Sequence, residues 1–117
     1  AIIPSLSLNQ YKIFEDDYGD VYAFTNWAFL NKEVEQRFLK TGVLENVDWQ
    51  SGNICWHIET VNTTPNKIKT IYKESVKKIS TILNDDKYIN WIRIDKTGKK
   101  IKRINSMKIK TANRKFN

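Results

Sequence analysis

The segment 54–61 constrains the fold of this chain most, because it has the clearest strand pattern in the sequence. It is rich in β-branched and aromatic residues and lies between a glycine-containing loop and a polar turn. Successive side chains of a strand point to opposite faces, so the segment predicts two different faces. The predicted sets are Ile54, Trp56 and Ile58 on one face, and Cys55, His57 and Glu59 on the other.

The rest of the chain predicts two helices and four further strands. Asn31 is placed to cap a helix that Gly42 ends, because a short polar side chain accepts from free amide groups and glycine readily adopts a left-handed conformation. Pro65 suits the first turn of a longer helix, where its missing N–H costs nothing. The predicted strands are 11–14, 21–25, 89–94 and 99–104, and the predicted helices are 32–41 and 65–83. This order predicts an α/β fold with a mainly antiparallel, twisted sheet and two helices packed on it.

The length of 117 residues fits one domain, 1–117. No apolar run approaches the roughly 20 residues that a membrane helix needs, so no membrane span is predicted. The chain begins with Ala1 rather than Met, and we expect an N-terminal segment to be missing. The basic stretch 105–117 is expected to be a frayed tail. Cys55 is the only cysteine, which excludes an internal disulfide and suits a reducing cytoplasm.

Charge is divided unevenly along the chain. Residues 1–60 carry nine acidic and four basic residues, a net charge of −5, whereas residues 61–117 carry four acidic and sixteen basic residues, a net charge of +12. This division indicates that the second half meets an anionic partner, and nucleic acid, a membrane surface or an acidic protein would each satisfy it. Because no nucleic-acid-reading motif is present, no nucleic-acid partner is predicted.

His57 and Glu59 are the strongest candidates for chemistry from spacing alone. Two residues apart on a strand, they are predicted to point the same way, with Cα atoms about 6.5–7 Å apart. A carboxylate there would orient the imidazole and make it a better general base. The alternative, which spacing alone favours, is a polar pair on the wet face of a half-exposed sheet. One histidine and one cysteine do not make a zinc site, and the four glycines form no nucleotide-binding pattern, so no metal or bound cofactor is predicted.

Three sequence blocks lie in a fixed order between residues 4 and 104. The first links Asn9-Gln10-Tyr11 to Ala23-Phe24-Thr25-Asn26-Trp27-Ala28, the second links Asp48-Trp49-Gln50-Ser51-Gly52 to Trp56-His57-Ile58-Glu59, and the third links Ile92-Arg93-Ile94-Asp95 to Gly98-Lys99. Together they resemble the lysine acyltransferases that activate RTX (repeats-in-toxin) protoxins, the haemolysin-activator type. The second block is the most specific, being similar to the family's Asp-Trp-x-Ser-Gly loop and its Trp-x-Ile-Asp strand.

The resemblance implies a fold, a reaction and partners. The fold would be acetyltransferase-like (GNAT-like). The reaction would transfer a fatty acyl group from acyl carrier protein to internal lysines of an RTX protoxin, with acyl-acyl carrier protein as the donor. The location would be the bacterial cytoplasm, and an acidic carrier protein would suit the basic second half. The sequence leaves open whether the chain forms a homodimer.

The resemblance also assigns roles to residues. Glu59 stands where the family has its catalytic aspartate, and a histidine that acts as the base or acyl relay in the family lies upstream of the block that begins at Pro4. The residues expected to bind substrate are Asp48, Trp49, Ser51, Gly52 and Trp56. His57 is the alternative catalytic histidine, opposite Glu59. Two other functions stay open: a non-catalytic relative that binds toxin or carrier protein, and, least favoured, a basic nucleic-acid-binding domain using Lys99–Lys115.

Overall fold

The computed structural model describes residues 2–94 and 101–116, and it begins with a short helix and a hairpin. Helix α1 (Ile2–Ser7) precedes strand β1 (Tyr11–Glu15), which pairs antiparallel with β2 (Val21–Leu30). In the turn between the strands, the Asp16 carboxylate accepts hydrogen bonds from the N–H groups of Tyr18 and Asp20, at 2.9 and 3.0 Å. The predicted hairpin is confirmed, and β2 is five residues longer than its predicted segment ending at residue 25.

Helix α2 (Lys32–Thr41) has both of its predicted caps. The Asn31 side chain accepts a hydrogen bond of 2.8 Å from the Val34 N–H. Gly42 has φ +70° and donates its N–H to the Phe38 carbonyl at 2.7 Å. The buried side chains of Val34 and Phe38 pack the helix against the sheet. Local signals were sufficient here because each cap depends on neighbours in sequence.

A strand–helix–strand unit occupies the middle of the chain. Strand β3 (Ile54–Asn62) leads through a short 3-10 turn (Pro65–Lys67) into α3 (Ile68–Ile79), and the chain returns in β4 (Tyr88–Ile94). β3 and β4 run parallel, but their ladder covers only three residue pairs, Cys55 with Ile89, Trp56 with Asn90 and His57 with Trp91. The long helix predicted at 65–83 is shorter at both ends. Its first three residues form the 3-10 turn, and residues 80–82 form turns after α3 ends at Ile79.

The C-terminal stretch forms regular structure, so the expected frayed tail over 105–117 is wrong for the residues described there. Strand β5 (Ile101–Lys108) pairs antiparallel with β4, and α4 (Ile109–Phe116) follows directly. Ile109 and Ala112 are fully buried and join a core cluster with α3, which explains why a basic stretch holds a helix. The predicted turn at 95–98 and the start of the strand predicted at 99–104 lie outside the described residues.

The five strands of the described residues form one sheet in the order β1-β2-β3-β4-β5, and among them only the β3–β4 pair is parallel. The α/β class and the mainly antiparallel sheet are confirmed, whereas residues 2–94 and 101–116 form four helices instead of two. Each face of the sheet has its own core cluster. The α3–α4 side buries Trp27, Phe29, Cys55, Val76, Ile79, Ile89, Ile109 and Ala112, and the α2 side buries Ala28, Leu30, Val34, Phe38, Trp49 and Trp56. None of the described helices is long and apolar enough to cross a membrane.

Candidate active site

A β-bulge in β3 separates His57 from Glu59. His57 pairs with Trp27 and Glu59 pairs with the adjacent Asn26, so Ile58 is an extra residue without a partner on β2. Because consecutive residues of β2 point to opposite faces, the partners of His57 and Glu59 lie on opposite faces of the sheet. The prediction of a shared face for His57 and Glu59 is therefore wrong. An inserted residue in one strand is set by cross-strand pairing, which the alternation in one segment does not reveal.

Glu59 is held by Asn26, a fully buried residue of β2. The Asn26 Oδ1 atom accepts the Glu59 N–H at 2.8 Å, and its Nδ2 donates to Glu59 Oε1 at 3.3 Å. The same Nδ2 lies 3.2 Å from the Oγ of Ser5, a buried residue of α1. Glu59 itself is only partly buried. The arrangement presents a carboxylate at the protein surface and fixes it from behind with buried amide and hydroxyl groups.

Sequence reasoning did not assign Asn26 and Ser5 to the site. Asn26 was quoted only as part of the first sequence block, although an asparagine between Phe24 and Trp27 interrupts an otherwise apolar strand. Such a buried amide needs hydrogen-bonding partners, and this requirement was a usable signal. Ser5 gave no signal of this kind, because its contact with Asn26 spans 21 positions in sequence.

His57 lies in the core on the α3 side and is 4% exposed. Its Nδ1 is 3.3 Å from the Thr25 hydroxyl and its Nε2 is 3.2 Å from the Ser75 hydroxyl. The ring stacks on Trp91, with centroids 5.4 Å apart and planes 13° apart. Burial lowers the pKa of His57 from 6.5 to about 3. A neutral imidazole with both nitrogens occupied satisfies the buried hydroxyls, and so low a pKa makes it a weak general base at neutral pH.

The loop 48–52 is fastened along the end of β2. The N–H groups of Ser51 and Gly52 both donate to the Phe29 carbonyl, at 2.8 and 3.0 Å. The Ser51 hydroxyl accepts from the Asn31 N–H at 3.1 Å and donates to the Asp48 carbonyl at 2.8 Å. A Cβ atom on Gly52 would lie 2.5 Å from the Asn31 nitrogen and from the Leu30 oxygen, so only glycine fits this close backbone approach.

The two tryptophans predicted to bind substrate are core residues. Trp49 is 1% exposed, and its carbonyl accepts hydrogen bonds from the Phe29 N–H and from the side chain of Gln10, both at 2.9 Å. Trp56 is 2% exposed and donates its indole N–H to a Glu35 carboxylate oxygen at 2.7 Å. Gln10, which sequence reasoning did not single out, is itself buried and also donates to the Trp27 carbonyl. Contact of Trp49 and Trp56 with a substrate stays a prediction.

Asp48 is 3% exposed and joins the loop to α2. Its Oδ2 accepts the Glu45 N–H at 2.7 Å and forms a salt bridge with Arg37. The hydrogen bond and the charge of Asp48 raise the pKa of Arg37, against the opposing effect of burial. Asp48, Ser51 and Gly52 are therefore brought together as the fastening of one loop, and their predicted contact with a substrate stays a prediction.

The role of Asp48 in this loop predicts a graded loss of stability. Asp48→Ala is expected to lower the free energy of unfolding by about 1–2 kcal/mol, because the Glu45 N–H loses its acceptor. Asp48→Asn is the matched control and should retain most of that stability, because its amide oxygen still accepts the N–H. Urea unfolding followed by tryptophan fluorescence measures both variants. Equal losses in the two variants would show that the charge, and not the accepted hydrogen bond, is what matters.

The described residues offer no metal site and a buried thiol. They contain no group of three or more His, Cys, Asp or Glu side chains that would hold a metal ion. Cys55 is completely buried, and burial raises the pKa of its thiol. A buried thiol with a raised pKa is a poor nucleophile. Of the residues described, the Glu59–Asn26–Ser5 group is thus the best candidate for acid–base chemistry.

Comparison with known proteins identifies the family. The model of the RTX toxin acyltransferase family matches residues 1–108. The lysine-acyltransferase RtxC of Vibrio cholerae is 42% identical over 53 residues, which cover 44% of this chain and 34% of RtxC. The toxin-activating lysine-acyltransferase ApxIIC of Actinobacillus pleuropneumoniae is 36% identical over 61 residues, covering 51% of this chain and 38% of ApxIIC.

A third relative matches almost the whole chain. The leukotoxin-activating lysine-acyltransferase LktC (serotype A11) of Mannheimia haemolytica is 30% identical over 121 residues, which cover 98% of this chain and 68% of LktC. The matches to RtxC and ApxIIC span only about a third of those proteins, whereas the family model and LktC follow this chain across its described strands. The chain therefore belongs to the RTX toxin acyltransferase family.

Proposed function

We propose that the chain is a bacterial cytoplasmic enzyme that transfers a fatty acyl group from acyl carrier protein to internal lysines of an RTX protoxin. The names of three relatives, which are lysine-acyltransferases and in two cases activate toxins, support this reaction class. The observation that carries the proposal is the partly exposed Glu59 carboxylate, which the buried Asn26 holds in place. It stands at the position of the family's catalytic aspartate.

We infer that Glu59 acts on the attacking lysine. A lysine is protonated at neutral pH, so it must lose a proton before its amine can attack a thioester carbonyl. Glu59 would attract the ammonium group and accept this proton. The new C–N bond then forms and the C–S bond breaks. The nitrogen loses two protons in all: one passes through Glu59 to the departing thiolate, and the second is released to solvent. Asn26 and Ser5 would act as positioning residues, because they contact Glu59 or its partner and not the reacting atoms.

The parallel pair β3–β4 supports an acetyltransferase-like fold. It is the single parallel connection among the described strands, and α3 crosses between its two members. After the His57–Trp91 row the ladder ends, although β3 runs on to Asn62 and β4 to Ile94. Glu59 follows this row by two residues. We propose that the opening admits the narrow pantetheine arm of the donor and brings the thioester to Glu59.

A basic surface on α3 and α4 supports an acidic carrier protein as the donor. α3 packs against α4, and Lys73 and Lys77 line a cavity of about 100 Å³ together with Asn113 and Phe116. Further exposed basic residues of these two helices are Lys69, Lys110, Arg114 and Lys115. Opposite charges would steer the carrier to this surface and make its association sensitive to salt. The amide groups at the start of α3 belong to the same basic half of the chain as this surface.

The proposal is tested by direct acyl transfer. The purified chain is mixed with fatty-acyl carrier protein and a lysine-containing fragment of an RTX protoxin, and the products are analysed by intact and tandem mass spectrometry. We expect the mass of one acyl group on a lysine side chain. Association with carrier protein or protoxin without any acyl-lysine would instead support the binding-only alternative. Salt-sensitive binding to DNA or RNA without either protein contact would favour the nucleic-acid alternative.

Glu59→Gln is expected to lower the acylation rate about a hundredfold, the lower end of the range for general acid–base groups. The amide keeps the length of the side chain and an oxygen that accepts from Asn26, so the fold should persist. The measurement is the rate of acyl-lysine formation at saturating donor. Glu33→Gln, which removes an exposed carboxylate of α2, is the matched control and should act like the wild type. A wild-type rate in Glu59→Gln would remove Glu59 from the mechanism.

A further inference from the structure

One face of β1, β2 and β3 carries apolar side chains that reach solvent. The register pairs Ile13 with Phe24 and Phe24 with Val61, so these three residues form one row across the sheet. The neighbouring row on the same face is Tyr11, Asn26 and Glu59. Ile13 is 46% exposed and Val61 is 58% exposed, whereas Phe24 is partly buried and stacks on Tyr11. We call this pair of rows, together with the turn 15–20, the acidic–apolar face.

The opposite face of the same strands is a closed core. Phe14 and Ala23 lie there, buried against Ile71 of α3. Ile13 and Val61 are therefore exposed on one face of strands whose other face is packed and buried. Three adjacent apolar side chains in one row make a contact surface rather than a single exposed residue.

Negative charge lies on both sides of this row along the strand direction. On one side, Glu59 lies one row away on β3. On the other side, the end of β1 and the turn that follows it contribute Glu15, Asp16, Asp17 and Asp20, all of them exposed. The first sixty residues as a whole carry a net charge of −5, in contrast to the basic surface of α3 and α4. An apolar row with acidic side chains on both sides complements a segment that combines apolar side chains with cationic ones.

We propose that the acidic–apolar face is the docking site for the acceptor, a cationic polypeptide segment whose apolar side chains lie on Ile13, Phe24 and Val61 and whose lysine reaches Glu59. The identity of the lysine as the acyl acceptor rests on the proposed function, whereas the docking itself is a binding property. The acceptor would then approach from the face opposite to α3. Charge complementarity selects this occupant over a symmetric dimer formed through this face, because two acidic faces would repel each other.

The test is a binding measurement that contains no acyl donor. The probe is a fluorescein-labelled synthetic peptide with a central lysine flanked by isoleucine and arginine residues, and the matched peptide carries glutamate in place of each arginine. Fluorescence anisotropy measures the affinity of both peptides for the 117-residue chain. We expect the arginine peptide to bind and the glutamate peptide to bind at least tenfold more weakly.

Surface variants locate the binding. Val61→Lys and Ile13→Lys are each expected to weaken binding of the arginine peptide about tenfold or more, because each removes an apolar contact and adds a repelling charge. Val47→Lys and Ile82→Lys are matched controls, since both residues are exposed apolar side chains outside this face, at 79% and 61% exposure. If Val61→Lys does not fold, Ile13→Lys decides alone. Unchanged affinity in the face variants, or an equal loss in the controls, would overturn the proposal.

Two further results separate the docking face from the proposed function. Peptide binding that depends on Val61 without any acylation of the protoxin fragment would leave the docking face standing and remove the enzymatic function. Acylation of the fragment by Val61→Lys at the wild-type rate and KM would remove the docking face and leave the enzymatic function standing. Sedimentation tests whether a second copy of the chain occupies the face. If the wild type is a dimer that Val61→Lys dissociates, and the peptide affinity is unchanged, the face serves self-association and the proposal is overturned.

Discussion

Lowering the pH from 6.5 to 4.5 is expected to remove about 2 kcal/mol from the free energy of unfolding, because His57 must stay neutral in the folded core. Its folded pKa of about 3 lies below the value of 6.5 for an exposed histidine. The unfolded chain therefore binds a proton that the folded chain refuses. The stability is fully present above pH 6.5 and is lost as the pH falls toward 3, by about 1.4 kcal/mol per pH unit.

The measurement is a series of urea unfolding curves between pH 7.5 and 4.5, followed by tryptophan fluorescence. His57 is the only histidine, so no other side chain with an ordinary pKa near 6.5 contributes to this window. His57→Gln is the matched control: it should be less stable at pH 7.5, because it loses the stack on Trp91, but its stability should be nearly constant across the upper part of this range. Parallel pH dependence in both proteins would contradict the assignment to His57.

The same variant separates a structural from a catalytic histidine. If His57 supports the core only, His57→Gln should retain acyl transfer per folded molecule at a temperature where it is folded. The bulge at Ile58 supports this outcome, because it leaves the imidazole on the α3 side and Glu59 on the other. Complete loss of transfer by a folded His57→Gln protein would restore the histidine to the mechanism.

Gly52→Ala is expected to lower the free energy of unfolding by about 3 kcal/mol, which corresponds to a decrease in Tm of about 10 °C. The added Cβ would meet the Asn31 nitrogen and the Leu30 oxygen at 2.5 Å. Both are backbone atoms at the junction of β2 and α2, so neither moves as a side chain would. Relief of the clash requires separation of the loop from Phe29, whose carbonyl accepts two of the loop's hydrogen bonds.

Asn53→Ala is the matched control for Gly52→Ala, because Asn53 is the exposed residue that directly follows the loop 48–52. It should unfold within about 0.5 kcal/mol of the wild type, as surface substitutions usually do. Thermal unfolding by circular dichroism compares the two variants under one set of conditions. A Gly52→Ala protein as stable as Asn53→Ala would show that the loop yields without cost, and the glycine would then need another explanation.

The parts of the fold that depend on local chemistry were predictable from the sequence. Asn31 and Gly42 cap α2 as expected, since each acts on residues within one helical turn. The strand at 54–61 was found by its alternation. The assignment of Glu59 to the site came from a resemblance in order and spacing, and it stays a prediction. Composition was a poorer guide to the C-terminal stretch. The many basic residues suggested a frayed tail, although Ile109 and Ala112 have the spacing of one helical face.

The remaining features depend on contacts between distant segments. The bulge at Ile58 arises from the register with β2, and the support of Glu59 comes from Asn26, 33 positions away. The loop 48–52 illustrates the same limit in another form. Its motif is the most specific in the chain, yet its atoms are engaged in fastening the loop to Phe29, Asn31 and Arg37. A conspicuous motif therefore does not by itself distinguish a contact with substrate from a contact within the fold.

The three-row ladder between β3 and β4 also has a consequence for the order in which the chain folds. The pairings of β1 with β2 and of β4 with β5 are hairpins that close short loops early. The parallel rows instead join positions about 35 residues apart, as the Asn90–Cys55 hydrogen bond illustrates, and the connection between them runs through α3. Only three rows of pairing offset the entropy cost of closing that loop. We therefore expect the β4–β5 hairpin to join the rest of the sheet late in folding.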